Sequence, residues 1–310
     1  MNLRATTATQ ADLIAYLKQH RIWNAETLFW QWLTAHPMLP QETLQTIQQL
    51  KTWLDAFRPL PPTVVSELRQ RYQVRFTYHS NALEGNTLTQ SETELVLTTG
   101  ITIGGKTLQE HLEVIGHAEA IAYIEGLAQQ STPIGEWEIR QIHSLILRKI
   151  NPEEAGRYRN LDVQAAGTGY IYPPHYLLSE LMADFVGWLN SADAQALHPV
   201  LYAAEAHHRF VTIHPFRDGN GRTGRLLMNL LLLRTGYPIA IISNENRQRY
   251  IEALVQGQQS DSWETFYALI IDATQAALIE VLGALATAAE VQNKELPLYR
   301  EMLDFLQQQK

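Results

Sequence analysis

Residues 214–225 of the sequence gather several side chains that could carry out a reaction. The stretch reads His-Pro-Phe-Arg-Asp-Gly-Asn-Gly-Arg-Thr-Gly-Arg. His214 offers a base that is mostly neutral near a pH of about 7.5, because an unperturbed imidazole has a pKa of about 6.5. Asp218 offers a carboxylate oxygen of the kind that Mg²⁺ prefers. The stretch therefore combines a proton acceptor with a potential metal ligand.

The second half of the same stretch is suited to an anion. Gly219 and Gly221 remove side chains where the backbone must approach something closely. The stretch leads into a predicted helix, and a helix N-terminus attracts anions through its free N–H groups and its dipole. Arg222 and Arg225 are three residues apart and share a face there, although cations oppose the dipole. A bound di- or triphosphate would resolve that conflict. Taken singly, these residues have plainer interpretations as a turn, surface ion pairs and a structural histidine, but their combination favours a site.

The rest of the chain is patterned as helices. Apolar residues recur at steps of three and four between Pro40 and Pro59, which is typical of an amphipathic helix. The pairs Thr89–Glu92 and Thr107–Glu110 have the spacing of capping boxes. There is no alternation of strands and helices and no long internal repeat. The pattern therefore predicts an all-α bundle, with further helices at about 11–33, 108–129, 136–150, 176–190, 199–212, 222–234, 261–290 and after Pro297.

Smaller features complete the predicted organisation. The proline-rich segment 58–62 predicts a boundary, so that residues 1–60 form a helical appendage, 61–290 a main domain and 291–310 a C-terminal helix. Residues 101–108 are expected to form a tiny hairpin around Gly104-Gly105. His207 shares an apolar face with Ala203 and Phe210, which favours a core histidine over a metal ligand. The tryptophans expected in the core are Trp53, Trp137, Trp188 and Trp263.

Composition excludes several classes of protein. The 310 residues are 45% hydrophobic and 18% charged, an ordinary globular balance. Twenty-four Lys and Arg against 32 Asp and Glu give a net charge of −8, which argues against a nucleic-acid partner. The absence of cysteine excludes disulfides, thiol nucleophiles and cysteine metal sites. Residues 1–10 contain no apolar signal region, and the longest apolar run, 226–233, is too short to span a bilayer. We therefore expect a soluble cytoplasmic protein without a membrane partner.

Residues 214–225 resemble the complete signature of the Fic family, His-x-Phe-x-Asp-Gly-Asn-Gly-Arg-x-x-Arg. The resemblance implies an all-α core with a small β-hairpin flap. It also implies transfer of AMP from ATP, with Mg²⁺ or Mn²⁺, to a Ser, Thr or Tyr hydroxyl of a target protein. Homodimers are frequent among such relatives, which makes a homodimer one possible assembly, but the sequence does not determine the oligomeric state.

The resemblance also assigns roles to individual residues. His214 would take the proton of the attacking hydroxyl, Phe216 would anchor the loop, and Asp218 would hold the metal. Arg225 would face the γ-phosphate. The remaining nucleotide-binding residues that the resemblance implies are Gly219, Asn220, Gly221, Arg222, Thr223, Gly224 and Tyr250. The segment from Gly156 to Tyr172 is similar to the flap of the family. At the flap tip, the residues expected to touch nucleotide are Ala166, Gly167, Thr168 and Gly169.

A second motif, from Ser80 to Asn86, resembles the inhibitory motif of Fic proteins, on a helix expected at about 65–86. Ser80 and Glu84 are one helical turn apart and so share a face. A Glu84 carboxylate paired with Arg225 would place negative charge where the γ-phosphate belongs. Without the loop at 214–225, the same pair would be read as an ordinary surface face of a helix.

Several activities fit these residues. The leading interpretation is a protein adenylyltransferase that is autoinhibited by Glu84. Alternatives are a bifunctional or mainly de-AMPylating phosphodiesterase, in which Glu84 would orient water, and transfer of UMP, phosphocholine or phosphate. The complete anion-binding set, with Arg225, favours a triphosphate. A non-catalytic nucleotide-binding regulator is disfavoured, because His214 and Asp218 are both present.

Overall fold

The computed structural model describes residues 41–165, 170–260, 262–288 and 297–308. Twelve α-helices lie in these ranges. In chain order they are α1 Gln41–Ala56, α2 Pro62–Ala82, α3 Gln90–Thr99, α4 Leu108–Ala128, α5 Glu136–Leu147, α6 Leu178–Leu189, α7 Ala192–Gln195, α8 Pro199–Ile213, α9 Asn220–Arg234, α10 Arg247–Ser260, α11 Glu264–Thr287 and α12 Pro297–Gln308. The all-α prediction is confirmed for the described part of the chain.

The helix ends follow the signals in the sequence. Thr89 Oγ1 accepts the Glu92 N–H at 3.2 Å while Glu92 accepts the Thr89 N–H at 2.7 Å, so the capping box at the start of α3 is complete. The Thr107–Glu110 pair caps α4 in the same way. Proline occupies the first position of α2 and of α8, where its missing N–H costs no intrahelical bond.

The helices pack around one large hydrophobic cluster. Helices α8 and α9 are consecutive and lie side by side at its centre, with α4 and α5 against α9 and with α11 against α8 and α1. The cluster includes Ile47, Leu50 and Phe57 at the end of the predicted appendage. The described part of that segment, residues 41–60, therefore shares the main core. Residues 1–40, with the helix expected at 11–33, lie outside the described residues, so the boundary near residue 60 stays a prediction.

Helix α11 is long and apolar enough to cross a bilayer by length and composition, with a mean hydropathy of 1.7. The central helix of a folded domain has the same properties. Eleven of its residues are buried, among them Phe266, Ile270 and Leu282, and the Tyr72 hydroxyl donates to its Ala277 carbonyl at 3.2 Å. Its apolar character is thus used in the packing of the bundle.

Two smaller predictions are wrong. Residues 101–107 form a turn in which the Ile103 N–H donates to His111 Nε2 at 2.8 Å. The β-bridge found among the described residues joins Gln164 and Ile171 instead, so no hairpin forms around Gly104. Trp137 is 63% exposed, because it lies in the first turn of α5 on the side opposite its buried face. Trp53 and Trp263 are buried as expected, and Trp188 is partly buried against the core.

Candidate active site

The loop at residues 214–219 joins the two central helices, and its ends have unusual backbone conformations. His214 caps the C-terminus of α8 in the left-handed region, with a φ of 52°, although it is not a glycine. Gly219 caps the N-terminus of α9 with a φ of 75°. The loop therefore turns sharply at both ends, where it leaves α8 and where it enters α9.

Asn220 and Phe216 fix the loop from within. The Phe216 N–H donates to Asn220 Oδ1 at 2.9 Å, and Asn220 Nδ2 donates to the Phe216 carbonyl at 2.8 Å. The Phe216 ring is fully buried. The Asn220 side chain, which we expected in the anion site, is thus used to close the loop on itself.

His143 of α5 holds the loop from one side, and nothing in the sequence singles it out. Its ring stacks on Phe216 with 3.6 Å between ring centroids. Nδ1 accepts the Gly156 N–H at 2.9 Å, so the proton lies on Nε2, which donates to the Asp218 carbonyl at 3.0 Å. Burial lowers the pKa of His143 to about 4, so the imidazole stays neutral.

Arg159 holds the loop from the other side. Its backbone N–H donates to the Pro215 carbonyl at 2.9 Å, and its Nε donates to the His214 carbonyl at 2.9 Å. The guanidinium also donates to the carbonyls of Leu161 and Pro173, at both ends of the flap region. Arg159, which appears in the sequence only as part of a flap motif, thus ties the loop to the base of the flap.

His214 is prepared to accept a proton. Its Nδ1 lies 3.3 Å from the Val211 carbonyl, which can only accept, so Nδ1 carries the hydrogen and Nε2 has a free lone pair. The Tyr172 ring stacks on the imidazole at 3.8 Å between centroids. Burial, with a smaller effect of the Arg159 guanidinium, lowers the pKa of His214 to about 4 against the opposing effects of Val211, Glu84 and Asp218. The imidazole is therefore neutral at ordinary pH.

Arg225 lies buried at the centre of a hydrogen-bonded cluster. Its Nη2 donates to Glu84 Oε1 at 2.7 Å and to the Ser80 carbonyl at 2.8 Å, and its Nε donates to Ser80 Oγ at 3.0 Å. Its Nη1 donates to the Tyr250 hydroxyl at 3.3 Å. The structure thus brings Ser80 and Glu84 of the second motif onto the arginine that the sequence suggested.

Glu84 lies over the first turn of α9. A Cβ added to Gly221 would overlap Glu84 Oε1, so the carboxylate can occupy this place only because residue 221 is glycine. Burial raises the pKa of Glu84, but Arg225, with help from Arg222 and His214, outweighs this and holds it below its ordinary value. The carboxylate is therefore charged, and its side chain is still 39% exposed.

Arg222 has the character of an anion-binding residue. Its side chain is 3% exposed, and its nearest carboxylates, Asp218 and Glu113, are 3.6 and 3.9 Å away. Within the described residues, Nε and Nη1 have no hydrogen-bond partner. A buried guanidinium with unpaired donors is costly, and a bound anion would satisfy them.

Asp218 is the candidate metal ligand. Its side chain is 70% exposed, and Oδ1 accepts the Gly219 N–H at 2.6 Å. The described residues contain no cluster of three potential metal-ligating side chains. Since Mg²⁺ commonly binds one carboxylate together with phosphates and water, a single exposed aspartate beside an anion site fits that ion.

The other predicted site residues lie in different surroundings. Thr223 is fully buried, and Gly224 packs against Val211 and His207, so both belong to the inner face of α9. Tyr250 is buried, and its hydroxyl accepts a hydrogen bond from Arg225 Nη1. The predicted flap-tip residues Ala166, Gly167, Thr168 and Gly169 lie outside the described residues. The flap hairpin stays a prediction, although Gln164 and Ile171 form an antiparallel bridge on either side of the tip.

Comparison with solved structures identifies the family. The Fic/DOC family model matches residues 133–232. A Fic domain containing signalling protein from Bacteroides thetaiotaomicron is 31% identical with a TM-score of 0.72, and the match covers 78% of this chain and 98% of that one. Fic-1 from C. elegans is 30% identical with a TM-score of 0.73, and the match covers 90% and 82%. The chain belongs to the Fic family.

Curated relatives extend this result. Proteins named protein adenylyltransferase Fic from Nematostella vectensis and Culex quinquefasciatus are 37% and 36% identical over 264 and 241 residues. These matches cover 79% and 77% of this chain, but only 61% and 47% of the relatives. The chain thus spans from about half to about three fifths of the length of these relatives.

Proposed function

We propose that the chain is a protein adenylyltransferase, which transfers AMP from ATP to a Ser, Thr or Tyr hydroxyl of a target protein. The observation that carries this proposal is the arrangement at the start of α9. The Glu84 carboxylate interacts with His214, Arg222 and Arg225, so the imidazole with its free Nε2, the unpaired donors of Arg222 and the Arg225 guanidinium lie around one carboxylate at a helix N-terminus. The curated relatives that match this chain are named for this activity.

The proposed reaction uses these groups in sequence. His214 Nε2 accepts the proton of the target hydroxyl as its oxygen forms a bond to the α-phosphorus of ATP. The bond from the α-phosphorus to the bridging oxygen breaks, and pyrophosphate leaves with the electron pair. Arg222, Arg225 and the N–H groups of α9 stabilise the charge on the leaving group. The products are an AMP-modified side chain and pyrophosphate, and His214 then releases its proton.

A divalent cation fits beside this path. Mg²⁺ or Mn²⁺, when bound, would neutralise phosphate charge and polarise the bond that breaks. Asp218 would hold the ion through the exposed side of its carboxylate. The loop keeps Asp218 in place, since its carbonyl accepts from His143 and its Oδ1 from the Gly219 N–H.

Autoinhibition is part of the proposal. In the resting protein, Glu84 occupies Arg225 Nη2 and puts a negative charge beside the donors that would bind the γ-phosphate. The Glu84 carboxylate and the γ-phosphate are both negatively charged, so they repel each other when they share the same donors. ATP therefore binds with its phosphates correctly placed only when the carboxylate moves aside. The exposed fraction of the Glu84 side chain, 39%, leaves room for that movement.

Removal of AMP is a second candidate activity, favoured by one observation. Glu84 Oε1 accepts a hydrogen bond from Arg225 Nη2, and no hydrogen bond among the described residues uses Glu84 Oε2. That oxygen could orient a water for attack on the phosphorus of a modified side chain. The two activities need opposite positions of Glu84, so one substitution separates them.

Labelled nucleotides test the proposal. The wild-type chain and the Glu84→Gly variant are incubated with Mg²⁺ and ATP labelled on the α- or the γ-phosphate, and with labelled UTP and CDP-choline. We expect label in protein from the α-phosphate of ATP, and more in the variant. Label from the γ-phosphate alone, from UTP or from CDP-choline would replace AMP transfer by another group transfer. Nucleotide binding with no transfer to any protein would support the regulator.

Assembly and location complete the proposal. We propose a homodimer, which is supported by three exposed apolar side chains in one short stretch of the chain, Leu95, Ile101 and Leu108. Light scattering of the wild type and of Leu108→Asp would test it, with a monomeric wild type as the contradicting result. A cytoplasmic location without membrane or nucleic-acid partners stays a prediction, to be checked by cell fractionation.

A further inference from the structure

His207 lies beside the site without touching the space where the loop, α9 and Glu84 meet. It is on α8, two helical turns before His214, and it is fully buried. Its ring contacts the backbone of α9 closely, since a Cβ added to Gly224 would be 3.3 Å from His207 Cδ2. Its Nε2 is 3.1 Å from the Tyr250 hydroxyl. A histidine thus lies behind the tyrosine that contacts Arg225.

The donors and acceptors determine the direction of these hydrogen bonds. Arg225 can only donate, so the Tyr250 oxygen accepts from Nη1. If Tyr250 then donates to His207 Nε2, only the Nδ1–H of His207 is without a partner among the described residues. The opposite tautomer would leave two groups unpaired, the tyrosine proton and the Nδ1 lone pair. The chain therefore runs from Arg225 to Tyr250 to His207, with His207 as the final acceptor.

Two sets of residues hold Arg225, and only one of them changes when Glu84 moves aside. Helix α2 supplies Ser80, and the turn after its last residue, Ala82, supplies Glu84, so the helix expected to reach residue 86 ends before the carboxylate. Helices α10 and α8 supply Tyr250 and His207, which do not belong to the motif of Ser80 and Glu84. When Glu84 leaves Nη2, the hold from α2 weakens, while the hold from Tyr250 remains.

We propose that His207 is a positioning residue for Arg225. It fixes the Tyr250 hydroxyl so that the guanidinium keeps its place for the γ-phosphate after Glu84 has moved aside. This inference rests on the proposed function, because it assigns Arg225 to the triphosphate. Burial, with a smaller effect of Arg225, lowers the pKa of His207 to about 3, which keeps its Nε2 available as an acceptor.

The adjacent residue provides a matched control. His208 is also buried, and its Nε2 is 3.0 Å from the hydroxyl of another tyrosine, Tyr267. Its ring stacks on Trp263 with 4.1 Å between centroids. No hydrogen bond among the described residues connects Tyr267 to Arg225. Loss of His208 therefore damages the core in a similar way without loosening the arginine.

The experiment measures binding of ATP and of AMP by calorimetry, with Mg²⁺, in the full chain carrying Glu84→Gly. His207→Leu should weaken ATP binding by about tenfold, the effect of roughly one net hydrogen bond, and should change AMP binding by less than about twofold. His207→Gln, which keeps an acceptor at the position of Nε2, should restore the affinity for ATP. Tyr250→Phe should lower the ATP-to-AMP affinity ratio as His207→Leu does, and the double variant should be no worse, because the two residues act as one unit. His208→Leu should leave the ratio unchanged.

An unchanged affinity ratio in His207→Leu, or an equal fall in His208→Leu, would overturn the inference. If His207→Leu does not fold, Tyr250→Phe decides the question by the same ratio. Steady-state kinetics give a second measurement, in which the KM for ATP rises more than kcat falls. Because binding needs no transfer, failure of the proposed AMP transfer is seen separately, as an absence of modified protein in every variant.

Discussion

The loop at residues 214–219 and the C-terminal end of α2 both form the site, but they are held in very different ways. The loop is fixed through main-chain carbonyls by the buried side chains of Arg159 and Asn220, and by His143. The end of α2 and the turn after it reach the site through Ser80, whose hydroxyl and carbonyl accept from Arg225, and through one partly exposed carboxylate, Glu84. The loop is thus built to keep a single conformation, whereas the inhibitory contact depends on one side chain that can rotate away.

The strength of that contact sets the expected range of regulation. A hydrogen bond between charged groups contributes about 1.5–3 kcal/mol, and about 1.4 kcal/mol corresponds to a factor of ten. The Glu84–Arg225 contact would therefore reduce productive ATP binding by roughly ten- to a hundredfold. An inhibition of this size is large enough to matter and small enough to be relieved by a change in the position of α2.

The largest expected effect is loss of the base in the fixed loop. His214→Ala should lower AMP transfer by about 10²–10⁴-fold in the Glu84→Gly background, because the hydroxyl loses its proton acceptor. ATP affinity should stay within a few fold, since Arg222 and Arg225 are intact. Transfer is measured with α-labelled ATP. A rate equal to that of the parent variant would remove His214 from the mechanism.

Loss of the Asp218 carboxylate in the same loop should have the next largest effect. In Asp218→Ala, the affinity for ATP should depend on Mg²⁺ less strongly than in the parent variant. The rate of AMP transfer should also fall. Calorimetric titrations of ATP with and without Mg²⁺ measure the first effect. Matching titrations for variant and parent would assign Asp218 a purely structural role.

A smaller loss is expected when the loop loses one of its supports. His143→Phe keeps a ring against Phe216 but removes the hydrogen bonds to Gly156 and to the Asp218 carbonyl. Transfer should fall by about tenfold, the effect of roughly one net hydrogen bond on the placement of Asp218. Addition of excess Mg²⁺ should restore part of the lost transfer activity. Full activity at low Mg²⁺ would show that the loop needs no support from α5.

The smallest expected effect is on the pH profile. The pKa of His214 is lowered to about 4, so the base is neutral above that value and protonated below it. The kcat/KM of the Glu84→Gly variant should therefore change little between a pH of about 8 and about 5.5 and fall only as the pH approaches 4. A decline centred near the ordinary histidine value of 6.5 would mean that the imidazole is not shielded as the structure shows.

The fold was largely predictable because local signals at the helix ends are strong. Capping boxes and a proline define the starts of α3, α4 and α8 within one or two residues, whereas α2, expected at about 65–86, begins at Pro62 and ends at Ala82. Helix α10 gave no clear pattern, because only Tyr250, Ala253, Gly257 and Gln258 of its residues are buried. Trp137 was misplaced because burial of a single side chain depends on the helix face, which hydrophobicity alone does not give.

The site was predictable only in part, for a physical reason. Ser80, Glu84 and the residues of the loop are short motifs in the sequence, and the structure brings them together at Arg225. His143 and His207 act on the site through contacts with residues that are distant in sequence. Neither histidine belongs to a motif with chemical meaning in the sequence, so their hydrogen bonds could be found only from the packing of α5 and α8.

The central claim is that Glu84 inhibits by occupying Arg225, and a comparison of four proteins tests it most directly. Wild type, Glu84→Gly, Arg225→Ala and the double variant are given equal Mg-ATP, and incorporated labelled AMP is measured, self-modification included. Glu84→Gly should exceed wild type by roughly ten- to a hundredfold. Arg225→Ala should not be activated, and the double variant should match it, because the two residues act as one unit. A rate for Glu84→Gly equal to or below that of wild type would contradict the account.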